Sequence, residues 1–189
     1  MLKDLILKNR SYRRFYEETV IELDTLRELV DLARLSPSAR NMQPIKYILS
    51  CNTERNSLIF PHLGWAAYLT DWPGPEEGER PSAYIIILRD TAICKSLYCD
   101  HGIVAQSMLL GAVEKDLGGC IIMSIEQAGL RKALKIAPRY EILLVIALGK
   151  PKEIVVIEPI EPTQDIKYWR DSTGTHHVPK RVLADIIIA

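Results

Sequence analysis

Ser36-Pro37-Ser38-Ala39-Arg40-Asn41-Met42-Gln43-Pro44 is the stretch on which the reading of this chain turns. Before it, Leu23, Leu26, Leu29, Val30 and Ala33 recur at helical spacing; after it, Ile45 to Cys51 reads as a strand. A residue that precedes proline is pushed out of the helical region, so a helix over 22–35 must stop before Pro37. What remains is a turn stiffened by prolines and crowded with small and amide-bearing residues. Its backbone N–H groups and the planar amides of Asn41 and Gln43 suit the edge of a flat heteroaromatic ligand. Upstream, Asn9-Arg10-Ser11-Tyr12-Arg13-Arg14-Phe15 sets cations and a hydroxyl where a phosphate could be held by charge-assisted, fork-like hydrogen bonds. The pair of segments suggests a phosphorylated planar cofactor.

Composition narrows the field. The 189 residues fit one domain, and a hydrophobic share of 48% is enough for a real core and too much for a disordered chain. Twenty-four basic and 24 acidic residues cancel, which argues against a general nucleic-acid binder, since that needs a basic excess on one face. Met1-Leu2-Lys3-Asp4 begins no secretory pattern, and no apolar run approaches the roughly 18–20 residues of a membrane span. The expectation is a soluble cytoplasmic protein. Its four cysteines, Cys51, Cys94, Cys99 and Cys120, lack Cys-x-x-Cys spacing and read as small hydrophobes in a reducing compartment.

Along the chain, residues 1–8 read as a short helix and Glu54 to Phe60 as a helical turn or two. Residues 61–82 break the pattern: Trp65, Tyr68 and Trp72 are interleaved with glycines and prolines. Loops this aromatic are seldom mere connectors. Two readings stay open, a cover for a core edge or the wall of a substrate pocket. Ala83 to Leu88 is an apolar strand, and from Asp100 to Lys115 apolar residues run nearly all the way round a helix. Such a helix is buried on most sides, and in a domain this small a subunit interface explains it best. Gly118 to Ile125 and Ile142 to Gly149 are apolar strands of a sheet covered on both faces, with a short helix, Glu126 to Lys135, between them. The order gives an α+β sandwich. A core over 1–151 is followed by an extension over 152–189, polar and proline-bearing and ending in apolar residues, which needs a surface to bury on.

These features together resemble the nitroreductase family of flavin mononucleotide (FMN) enzymes, over essentially the whole chain. The resemblance rests on the segments 10–15 and 37–44, the helix from Asp100, Leu117-Gly118-Gly119-Cys120, and Leu148-Gly149-Lys150-Pro151. It implies an α/β/α sandwich with a mixed, mainly antiparallel sheet, and a homodimer whose C-terminal tail wraps the partner. Each FMN would be held by both protomers. Arg10, Ser11 and Arg13 would take the phosphate, while Pro37, Ser38, Ala39, Asn41 and Gln43 of the other protomer lie along the flavin. The backbone of Gly118 and Gly119 would approach the ring, and Lys180 or Arg181 would complete the phosphate site. The resemblance further implies that NAD(P)H and a small acceptor, such as a nitroaromatic or a quinone, use one site in turn. A sensor or flavin store of the same fold without turnover is the alternative. The chain departs from the family in having Asn9 before Arg10 and a short Trp/Pro/Gly stretch at 61–82 where a longer helical region is common.

Other residues weigh less. Gly118-Gly119 reads equally as a strand-initiating turn or as a place cleared for a ligand. His176-His177 projects two rings in different directions and lacks further ligands at metal spacing, so no metal is expected. Cys120 has no partner base, and a flavin cycle needs no protein nucleophile, so no catalytic residue is named. Asp100-His101 reads as a helix-capping pair.

Overall fold

The computed structural model describes residues 1–96 and 98–188. The chain begins with α1 (Leu2–Lys8), β1 (Phe15–Tyr16), α2 (Leu23–Leu35), β2 (Ile45–Ser50), α3 (Thr53–Ile59) and β3 (Ala83–Asp90). It continues through α4 (Asp100–Glu114), β4 (Gly118–Ile122), α5 (Gln127–Ala133) and β5 (Tyr140–Pro151). The last part holds β6 (Val155–Ile160), β7 (Trp169–Arg170), β8 (His176–Arg181) and α6 (Leu183–Ile186).

The spine is β5, which is longer than the apolar run 142–149 predicts. It pairs antiparallel with β3 along one edge and, along the other, with β4 and then β1; β2 lies outside β3. Ile85, Ile86 and Ile87 are all fully buried because successive side chains of a strand point to opposite faces and both faces are covered. Ile85 and Ile87 join Leu26, Leu29 and Met108 under α2 and α4, whereas Tyr84, Ile86 and Leu88 join Ile59 and Leu130 under α3 and α5. Each such residue contributes roughly 1.5–3 kcal/mol of burial. A bulge lies where Ile87 faces Leu144 and Leu88 faces Ile142, which puts Ile142 on the same face as Val145. The layers are those of the expected α/β/α sandwich.

Helix α4 departs from the expectation in one respect. Its apolar surface is largely used within its own chain: Val104, Ala105, Met108, Leu109 and Ala112 belong to the core shared with α2 and the sheet. Gly111 lets the two helices close, since a Cβ there would come within 2.3 Å of Leu32. Only a strip that includes Ile103 and Gln106 is left exposed, so the apolar periodicity mostly reports a helix enclosed by its own fold.

The extension after Pro151 is more ordered than its composition suggests. β8 pairs parallel with β6 and antiparallel with β7, giving a second small sheet. This sheet packs on its own chain: the buried Glu153 accepts from the Arg13 backbone N–H at 2.5 Å and from Arg170 at 2.9 Å. Much of the extension thus packs on its own chain, while Leu183, Ile186, Ile187 and Ile188 at its end are exposed. Among the described residues no helix is long and apolar enough to cross a membrane.

Arg14, next to Arg13 in sequence, points elsewhere. It forms a two-pronged ion pair with Glu79, both contacts 2.5 Å, and Lys152 adds a third at 3.1 Å. These cations hold the Glu79 carboxyl down at about 2, chiefly through the Arg14 hydrogen bonds. A carboxyl depressed by folding stabilises above its unfolded value and loses that contribution as the pH falls toward its folded one. Glu79→Gln should cost about 2 kcal/mol at neutral pH, because Arg14 loses its charged acceptor. The gap from wild type should close as pH falls from 4.5 toward 2. Urea denaturation of both proteins across that range checks this, and a gap that persists at the acid end refutes it.

Candidate functional site

The N-terminal arginine segment is held by the sheet. Tyr12 donates its backbone N–H to the Gly119 carbonyl at 3.1 Å, and Ser11 bridges Gly119 in parallel, so 10–13 runs along the start of β4. Opposite it stand Gln106 and Leu109 of α4, and a third wall is formed by His176 and Lys180 of β8 with Tyr168, just before β7. Together they enclose a cleft of about 360 Å³, within the roughly 300–1,000 Å³ usual for small-molecule sites.

Arg10, Ser11, Arg13 and Lys180 all line this cleft. Arg10 donates through Nη2 to the Ile6 carbonyl at 2.7 Å, and its buried Nε has no acceptor. Burial lowers the Arg10 guanidinium below its ordinary value, with Tyr12 opposing. Arg13 donates through Nη1 to the Ser11 carbonyl at 3.2 Å and contacts His176 Nε2 at 3.2 Å, with its guanidinium 4.8 Å over the Tyr168 ring. The ring of His176 is buried, and desolvation, then the cations Arg13 and Arg170, lowers it to about 4. His177, on the other face of β8, contacts Glu158 at 2.5 Å and Asp171 at 3.3 Å, and both carboxylates raise it, the Glu158 hydrogen bond most. Both of its ring nitrogens are taken by carboxylates. The adjacent histidines thus face different partners.

The glycine pair divides. Gly119 lines the cleft, yet a Cβ there would meet the Ala147 carbonyl and Leu109, both at 2.7 Å. Gly118 lies against Tyr12 and Pro151, at 2.4 and 2.7 Å from a Cβ, so tight packing of the arginine segment already accounts for it. Cys120, next along β4, is buried, and desolvation pushes its thiol up, away from the thiolate form a nucleophile needs. Arg181 is exposed and lies outside the cleft wall.

The amide-rich turn opens into a different hollow of about 210 Å³, lined by Pro37, Ser38 and Gln43 with Tyr47 and Asp100. Asp100 is buried and clamps the turn rather than capping its own helix. It accepts from the Ser38 hydroxyl at 2.5 Å and from the Ala39 backbone N–H at 3.0 Å, and Ser38 in turn accepts from the Gln43 N–H at 2.9 Å. The clamp holds backbone that side chains resist: Arg40, Asn41 and Gln43 have φ of 53, 54 and 51°. Burial, with Asp100 adding to it, pushes the Tyr47 phenol up to about 12, so it stays a donor. Helix α4 supplies Asp100 to this hollow and Leu109 to the cleft, residues roughly 13 Å apart along the axis.

Of the aromatic loop, Trp65 packs beside the core at 5.9 Å from Phe60. Tyr68 lies 4.9 Å from Tyr168, and Trp72 stacks under the Arg170 guanidinium at 4.7 Å. These two therefore brace the small C-terminal sheet and do not line the cleft. Sequence reasoning missed Asp100 as a clamp and missed Glu153 and Tyr168 altogether; it set the His176-His177 pair near the flavin phosphate or the dimer surface, without giving either ring a role. An acidic residue just past the last core strand, inside a tail rich in aromatic and imidazole rings, was the available signal.

A sequence profile described as the Nitroreductase family matches residues 6–71 and 79–150. The chain belongs to the nitroreductase family. Among solved structures it is similar to a nitroreductase family protein from Streptococcus pneumoniae TIGR4 (16% identity, 100% of each chain, TM-score 0.70). It is likewise similar to one from Clostridium novyi NT (22% identity, 80% of this chain and 86% of that one, TM-score 0.67). An FMN-dependent nitroreductase from Clostridium difficile R20291 shares 19% identity over 98% of this chain and 96% of that one, with a TM-score of 0.66. At these identities the likeness is one of fold. No match was found among curated proteins.

Removing the clamp tests the turn's construction. Asp100→Ala leaves the Ser38 hydroxyl and the Ala39 N–H without their acceptor. It should destabilise the chain by about 2 kcal/mol and speed amide exchange of 38–43. Exchange in that segment equal to wild type would show that the turn holds itself.

Proposed function

We propose that this chain is an FMN-dependent oxidoreductase that draws on NAD(P)H and reduces a small acceptor such as a nitroaromatic or a quinone. The observation that carries the reading is the convergence of Arg10, Ser11, Arg13 and Lys180, distant in sequence, on one cleft. Their chemistry fits a phosphate: three cations and a hydroxyl, with the Arg10 Nε buried and unpartnered. When bound, FMN supplies the electron-transfer chemistry. The chain's own part is to bind and orient it. Arg10 and Arg13 present fork-shaped donors, Lys180 a mobile point charge, and the Asp100-clamped turn offers the backbone and amides of Ser38, Asn41 and Gln43. No side chain is assigned a covalent role.

The cleft and the turn open separately on one chain, which supports a homodimer in which the turn of one protomer faces the cleft of the other. The exposed apolar residues of α1 (Leu2, Ile6, Leu7) and of the C-terminal end supply surface for such a partner. Tyr68 and Trp72 act indirectly, through the C-terminal wall of the cleft that they brace. Four free cysteines support a cytoplasmic location.

Arg13→Glu tests the phosphate assignment. Losing charge-assisted bonds and adding repulsion should weaken FMN retention on the order of a thousandfold, leaving the purified variant colourless where wild type is yellow. The visible spectrum and the flavin content after gel filtration report it. Normal flavin content in this variant would remove the assignment.

A further inference from the structure

We propose that His176, together with Tyr168, is a positioning residue that fixes the Arg13 guanidinium so that its free side faces the cleft. The inference rests on the phosphate reading of that cleft. A guanidinium carries its donors on three nitrogens, and the protein engages only one of them here. Nη1 meets the Ser11 carbonyl and His176 Nε2, each at 3.2 Å, while Nε and Nη2 donate to no acceptor among the described residues. That edge is the one left for paired hydrogen bonds to two oxygens of a single phosphate.

Rotation about the long side chain would lose this geometry, and the C-terminal sheet prevents it. The Tyr168 ring lies 4.8 Å from the guanidinium carbon and the His176 ring 5.2 Å from Tyr168, so the cation is held by a ring face and by an in-plane acceptor. To accept at Nε2 the imidazole must be neutral, with its proton on Nδ1. Burial and the neighbouring cations favour the neutral form. Nδ1 is itself buried without a partner. An unpaired buried donor is a cost that the fold gains nothing from, which points to the other nitrogen as the reason for a histidine here.

Full-length wild type, His176→Leu, His176→Gln and Tyr168→Leu would be titrated with FMN and, separately, with riboflavin, which lacks the phosphate. Circular dichroism and melting temperature report the fold. The expected result is a loss of about tenfold in FMN affinity for His176→Leu and Tyr168→Leu, with riboflavin affinity within about twofold of wild type. The glutamine, whose side-chain oxygen can accept from Nη1, should restore most of the FMN affinity. A folded His176→Leu that binds FMN like wild type overturns the proposal, as does an equal loss for riboflavin, which would mark a structural role. If His176→Leu does not fold, Tyr168→Leu decides by the same criteria. Wild type that binds FMN no more tightly than riboflavin overturns the phosphate reading itself and this inference with it, an outcome distinct from failure of the variants alone.

Discussion

The buried carboxylate of Glu153 is the contact on which the site depends. It stands two residues beyond β5, the strand that organises the whole sheet, and bonds the backbone of Arg13 on one side and the guanidinium of Arg170 on the other. One carboxylate thus ties the N-terminal arginine segment and the C-terminal sheet to the end of the core. A charge buried this way is costly unless it is fully partnered, so its two partners are held firmly in place. Because Arg13 is fixed through its main chain, its side chain is free to be aimed by His176 and Tyr168. Because Arg170 is fixed through its side chain, Trp72 can stack on it and carry the aromatic loop along. Two of the three walls of the cleft, the arginine segment and the C-terminal sheet, share this anchor.

The opposite hollow has an anchor of the same kind. Asp100 receives two donors from the turn after α2 and holds three left-handed residues in a short stretch. The cleft and the hollow are therefore built alike: a buried carboxylate organises backbone beside each. Helix α4 keeps the halves apart by packing between them in the core.

Much of this was legible in the sequence. The isoleucine run at 85–87 and the apolar runs of β4 and β5 announced a sheet covered on both faces, and Pro37 marked the end of α2. Arg10, Ser11 and Arg13 were named through the family resemblance, and the fold sets all three along one cleft. Other features were not local. Nothing near Arg14 indicates that its partner is Glu79, 65 residues later, so its role could not be read from the segment alone. Gly118 looked like a ligand approach because only the tertiary fold shows Tyr12 and Pro151 filling the space beside it. The wrap of apolar residues on α4 could not distinguish burial under its own α2 and sheet from burial under a partner. The tail was read as a strap in need of a surface, since its short strands pair parallel across an intervening loop and leave little periodicity to detect.

The central claim is that one flavin site is completed by two chains, the cleft of one and the clamped turn of the other. The most direct measurement is co-expression of a chain carrying Arg13→Glu with a differently tagged chain carrying Asn41→Ala and Gln43→Ala, followed by purification of the mixed dimer through both tags. If sites are shared, one site of the mixed dimer bears both lesions and the other bears none, so it should hold about one flavin per two chains. Each parent homodimer should hold almost none. Mixed dimers as empty as their parents would contradict the account, for then each chain builds its site alone.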